Sequence, residues 1–300
     1  MHNTPNYDCG LPIVTEDLLI LFVSHCAARL HISHTTIKLY LCGIRHSYIE
    51  RMGLNPFLNN TGEQYLRLQT IMRGIKKSHP TTTKTRLPIT SSLLAKICQT
   101  LRNNIFGTYE DLLMEACCVM AFFGFLRCGE FTYPSQTSDA QDGLCLGDIS
   151  FMRDTEQAAY VSLHLKHSKT DPFRIGHSIM LYATDSFLCP VTSLRQYLNH
   201  RCSLSRDPDM PLFLFPDRSL LTRSSFLKML HIVLSRIGTP TQGHTGHSFR
   251  TGAGTQAAAV HIPDHLIKTM GRWSSDCYQL YIKTPSKLIK EAQRKLAQVQ

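Results

Sequence analysis

His244-Thr245-Gly246-His247-Ser248-Phe249-Arg250, followed by the small-residue run Thr251 to Ala259, is the stretch on which the reading of this chain turns. A helix that begins near Ser248 places His247 at its N-terminus and Arg250 one turn in. Unpaired backbone N–H groups at a helix start favour an anion, and a guanidinium fork matches two phosphate oxygens at once. A competing reading makes His244 and His247 metal ligands. Two histidines without acidic or Cys-x-x-Cys partners form an incomplete site, so no metal is expected here.

Three further segments carry polar groups where a packed fold would not ask for them. In Gly124-Phe125-Leu126-Arg127-Cys128-Gly129-Glu130 an arginine ends an apolar helix, with a glutamate three residues later. Buried arginine is costly unless paired, and Glu130 is its natural partner; an ordinary structural ion pair explains the fragment equally well. Ser168-Lys169-Thr170-Asp171 falls between two expected strands, where Lys169 is either a solvated turn residue or a proton donor projecting into a site. Gly271-Arg272-Trp273-Ser274-Ser275-Asp276-Cys277-Tyr278-Gln279-Leu280-Tyr281-Ile282 holds the only tryptophan and two tyrosines. These aromatics fit a core as readily as a site.

The 300 residues favour two domains. A net charge of +10 points to a polyanionic partner, with nucleic acid foremost, because basic groups beside phosphates release condensed counterions. Eleven cysteines, an odd number without a Cys-x-x-Cys pair, argue for free thiols rather than a disulfide framework. No basic leader followed by an apolar core and a cleavage site opens the chain, and no apolar run reaches the ~18 residues that span a bilayer. A nuclear location is expected for a eukaryotic source and a cytoplasmic one otherwise, with no membrane partner.

Residues 1–14 read as a leader. Helices are expected over 15–30, 33–51 and about 62–78; Ser33 caps the second, and Ile37, Leu41, Ile44 and Tyr48 share one of its faces. Lys38 and Arg45 share another face, while Arg73, Lys76 and Lys77 end the third helix. Residues 1–90 hold ten Lys/Arg against five Asp/Glu. These faces suit phosphates, or are simply solvated. Residues 79–88, with Lys84 and Arg86 among threonines and prolines, read as an inter-domain linker. Beyond it, helices are expected over 91–104, 109–125, 190–201, 222–237, 248–259, 262–271 and 285–298, with short strands near 144–152, 159–166 and 175–182. The fold class is mainly α with a small antiparallel sheet.

Taken in order, the Arg127/Glu130 pair, the hairpin Lys169, the His247-x-x-Arg250 pair and a tyrosine ten residues after Gly271 resemble the tyrosine recombinase (phage integrase) family. The wording of Gly246 to Gly252 and of Gly271 to Asp276 is most similar to recombinases of eukaryotic mobile elements of the DIRS and Crypton kinds. The resemblance implies a helical, SAM-like core-binding domain over 15–78 and an α+β catalytic domain over 89–300. It also implies double-stranded DNA as partner and a homo-tetramer in the synaptic complex. Tyr281 would attack a phosphate to form a 3′-phosphotyrosyl link, Arg127 and Arg250 would neutralise the phosphorane-like charge so that no metal or other cofactor is required, and Lys169 would protonate the leaving 5′-oxygen. His247 would bond the phosphate or assist the tyrosine, and Glu130 would orient Arg127 or His247. The family places His or Trp directly after the glycine. Here Arg272 stands there with Trp273 beside it, and which of the two supports the phosphate is open. The alternatives are a type IB topoisomerase, a domesticated DNA-binding protein that has lost the chemistry, and a helical scaffold that binds no DNA.

Overall fold

The computed structural model describes residues 11–59, 61–78, 86–157, 159–166, 171, 173, 175–276, 279, 290, 293 and 294. The chain divides into two compact units, 1–84 and 85–300.

Three helices form the first unit: α1 (Glu16–Ala28), α2 (His34–Met52) and α3 (Leu66–Ser78). Thr15 and Ser33 cap the first two by accepting the N–H groups of Leu18 and Thr36, and Gly53, at φ 65°, closes α2. Leu19, Val23, Cys26, Ile37, Leu41, Leu68 and Ile75 make the core. Helix α3 starts at Leu66 rather than near 62, because Asn59 Oδ1 accepts the N–H groups of Thr61 and Glu63 in a local turn. Glu16 of α1 then caps α3 from outside, its carboxylate accepting Leu68 N–H at 3.1 Å. Lys38, Arg45, Arg73, Lys76 and Lys77 are all exposed. None of the five pairs with a carboxylate among the described residues.

The second unit is built around α5 (Thr108–Phe123), whose residues from Leu113 to Phe122 are all buried. Apart from Glu115, which Arg102 neutralises, this stretch is apolar all round and must be covered on every side. It packs against α4 (Ser91–Leu101), α6 (Pro190–Arg201), α7 (Arg223–Arg236) and α8 (Ser248–Ala259), with α9 (Asp264–Met270) packed beyond α8. Strands β1 (Ile149–Arg153), β2 (Ala159–Leu165) and β3 (His177–Tyr182) form an antiparallel sheet in sequence order, with Ser162 opposite both Ser150 and Met180. Val161, Leu163 and Leu165 of β2 point inward at period two. Strand β1 starts later than 144 because Asp148 accepts Cys145 N–H and winds Leu146–Asp148 into a single 3₁₀ turn.

Two helix ends matter for the site. Helix α5 stops at Gly124, and Leu126 N–H reaches back to Ala121 O across Phe125, which sits at φ 49°. Helix α9 stops at Gly271 in the same way: Trp273 N–H returns to Lys268 O across Arg272, at φ 53°. Both are left-handed closures in which glycine is the usual residue. Phenylalanine and arginine hold that conformation at a cost of about 1–2 kcal/mol each.

Of the expected linker, 79–85 lies outside the described residues, while Arg86 to Pro88 is docked on the second unit. Leu87 N–H donates to Gly243 O and Ile89 N–H to Ser248 O, both at 3.0 Å. The expected helix over 285–298 lies outside the described residues apart from 290, 293 and 294.

Candidate active site

Helix α8 begins at Ser248, with His247 at its N-cap, as the sequence predicts. The loop before it is stitched down: Thr245 N–H donates to Ser248 Oγ at 2.8 Å, and Gly246 O accepts Cys128 N–H at 3.2 Å. A Cβ on Gly246 would lie 2.5 Å from Cys128 Cβ, so only glycine lets the His247 loop approach the Arg127–Glu130 turn this closely. His247, Arg127 and Arg250 are thereby brought together from segments more than a hundred residues apart.

The environment of His247 is strongly cationic. Burial, and then the charges of Arg86, Arg223, Arg127 and Arg250, hold its imidazole below the ordinary 6.5. It is thus a neutral imidazole at pH 7. Arg86 and Arg223 are exposed, and Arg223 makes no ion pair among the described residues. The sequence reading assigned Arg86 to DNA binding and missed Arg223. A signal for it was available: a basic residue at the first position of a helix opposes the helix dipole, and Thr222-Arg223 does so at the start of α7. His177, at the start of β3, was also missed; burial and then Arg272 hold its value down.

Arg127 is mostly buried and fixed by Glu130. Its Nη1 donates to Oε1 at 2.8 Å, and its backbone N–H donates to Oε2 at 2.9 Å. The second partner of Glu130 is Arg272 rather than His247, because Arg272 Nη2 reaches Oε2 at 2.8 Å. Arg272 Nη1 donates to Gly124 O at 2.8 Å. A carboxylate only 5% exposed thus sits between two guanidinium groups.

Arg250 lies beneath this layer, 2% exposed. Its Nη1 donates to Phe125 O at 2.7 Å and its Nη2 to Gly271 O. Those carbonyls belong to the C-terminal ends of α5 and α9, where a cation is favoured. The face of Trp273 lies 4.5 Å from Arg250 Cζ, a stacking worth about 1–2 kcal/mol when desolvated. Arg250 therefore adds charge below the surface and ties two helix ends together. Trp273 is buried against Phe125, and the Arg272 side chain is 9% exposed. In this conformation neither presents itself to a phosphate at the surface.

His244 is buried, with Nδ1 within 2.9 Å of Pro240 O. Among the described residues no group of three or more His, Cys, Asp or Glu side chains is placed to hold a metal. Lys84, Lys169, Tyr278 and Tyr281 lie outside the described residues.

No protein-family model matches the sequence, and no curated protein does. Solved structures match the fold. The XerH site-specific recombinase bound to palindromic difH substrate, in a post-cleavage complex, aligns with a TM-score of 0.63 at 16% identity, over 93% of this chain and 69% of that one. The Tn1549 transposon integrase in complex with circular intermediate DNA aligns at 0.58 and 11% identity, over 96% and 87%. XerA recombinase aligns at 0.50 and 15% identity, over 99% and 86%. The chain has the fold of these tyrosine recombinases, mainly α with one small antiparallel sheet.

Proposed function

We propose that this chain cuts and rejoins double-stranded DNA through a covalent phosphotyrosyl intermediate. The observation that carries the reading is the close approach of Gly246 to Cys128, which sets His247 and the start of α8 beside the Arg127–Glu130 turn, in a fold shared with recombinases solved on DNA.

A phosphate docked beside His247 meets Arg127, which Glu130 already orients, and the exposed Arg86 and Arg223. Arg250 adds charge from below. Groups fixed before the substrate arrives need not reorganise as charge builds on the phosphorane, which is where such sites draw most of their rate. The Tyr281 hydroxyl attacks phosphorus as the 5′-oxygen leaves, so the P–O5′ bond breaks and a phosphotyrosine ester forms on the 3′ side. Lys169 protonates the departing oxygen. Neutral His247 accepts a hydrogen bond or the proton of the tyrosine, whose ordinary pKa near 10 makes it a weak nucleophile unaided. A 5′-hydroxyl from another strand reverses the step.

The exposed lysines and arginines of α2 and α3 supply further phosphate contacts. Mobile-element origin and a synaptic tetramer follow from the same reading. The test is a nicked duplex, drawn from a randomised pool by its affinity for this protein, in which the short strand released with a 5′-hydroxyl diffuses away after cleavage and leaves the ester trapped. Trapped protein–DNA ester supports the reading; tight binding with no ester on any selected duplex leaves a DNA-binding protein without the chemistry.

A further inference from the structure

We propose that Arg272 is a positioning residue: through Glu130 it couples the turn leading into the Tyr281 segment to the orientation of Arg127. The inference rests on the strand-transfer reading for its catalytic consequence, and on geometry alone for the coupling.

Arg272 occupies the first step after α9, nine residues before Tyr281 in sequence. Its side chain runs away from solvent and ends on two acceptors far off in the chain, Gly124 O and Glu130 Oε2, each at 2.8 Å. Among the described residues its buried Nε has no partner, and its backbone is held at φ 53°. An unsatisfied buried donor and a left-handed non-glycine residue are both unfavourable. Packing alone would be served better by an apolar side chain of similar volume. What the arginine adds is a planar fork that fixes two directions at once.

The acceptor it shares makes the link. Glu130 Oε2 takes Arg127 N–H and Arg272 Nη2, while Oε1 takes Arg127 Nη1. A carboxylate held from both sides cannot rotate without moving Arg127. Arg250 fastens the same turn a second time at Gly271 O. The α9 turn and the Arg127 guanidinium thus move together or not at all. The side chain at this position acts through Arg127 and Glu130, not on the phosphate itself.

Trp273, the only tryptophan, reports on the turn directly. In the full-length chain, Glu130→Gln and Arg272→Met are each expected to raise acrylamide quenching of Trp273, and the double variant no further than the larger single effect. On the nicked duplex at saturating protein, each single variant is expected to form ester roughly 10²-fold more slowly, the usual cost of misplacing a catalytic group by about 1 Å. DNA affinity should hold, and the double variant should be no slower than the slower single. Arg272→Lys keeps the charge but reaches one acceptor at a time, so full rate in that variant overturns the proposal. So does rescue of Arg272→Met by a 5′-bridging sulfur leaving group, which marks a proton donor instead. Unchanged Trp273 quenching in Glu130→Gln also overturns the coupling. If the wild type forms no ester, the strand-transfer reading falls, and the quenching measurement still decides the coupling.

Discussion

Replacing Gly271 by alanine is expected to destabilise the second unit strongly. A Cβ built there lies 1.7 Å from Cζ3 of Trp273, 2.0 Å from Cε3 and 2.5 Å from Cη2. Carbon atoms pack at roughly 3.5–4.0 Å, so the ring must retreat by about 2 Å. The retreat disrupts the stack with Arg250 and the edge-to-face contact with Phe125, whose centroids are 6.0 Å apart. Overpacking costs about 1–3 kcal/mol, the cation–π stack about 1–2 and the aromatic pair about 0.5–1.5. These contacts overlap and do not simply add, so about 4 kcal/mol is the working figure. At ~2–4 °C per kcal/mol for a unit of this size, the melting temperature should fall by roughly 8–16 °C. Thermal unfolding followed by circular dichroism reads the shift, and Trp273 emission reads the ring. A variant that melts within about 2 °C of the wild type would refute the packing assigned to this turn.

Arg127→Ala should slow ester formation by about 10²–10³-fold, the loss typical of one preorganised donor, with far less effect on binding; single-turnover kinetics on the nicked duplex check it. Arg223→Ala and Arg86→Ala should each lower the slope of log affinity against log salt by about 0.9, one phosphate contact apiece, in gel-shift titrations across salt. His247 sets a pH window. Its folded value is depressed, so above 6.5 both states hold a neutral imidazole and the group contributes nothing. As pH falls below 6.5 the unfolded chain binds a proton that the native site refuses, and stability drops until the lower folded value is reached. His177 acts in the same sense. Urea melts at pH 7.5 and 5.5 should therefore show a smaller acid loss in His247→Gln than in the wild type.

Much of this was legible in the sequence. Caps such as Ser33 and the almost wholly apolar run of α5 give their elements away locally, and the sheet shows in the alternation of Val161, Leu163 and Leu165. The segments around Arg127 and His247 were legible because each sets costly polar groups against apolar neighbours. The partner of Glu130 was not, since Arg272 lies 142 residues away and only the tertiary fold brings it there. The inward turn of Arg250 was hidden for a related reason: its acceptors are main-chain carbonyls, Phe125 O and Gly271 O, which every residue type carries. The left-handed backbone at Phe125 and Arg272 could not be read either, because neither residue advertises it. Arg223 could have been found from its opposition to the α7 dipole.

The proposed chemistry makes a covalent bond between Tyr281 and a DNA phosphate. Protein trapped on the nicked duplex can be digested with nuclease and trypsin and the modified peptide sequenced by mass spectrometry. A nucleotide on Tyr281, lost in Tyr281→Phe while DNA affinity persists, is the predicted result; an adduct on Tyr278 or on any other residue would contradict it.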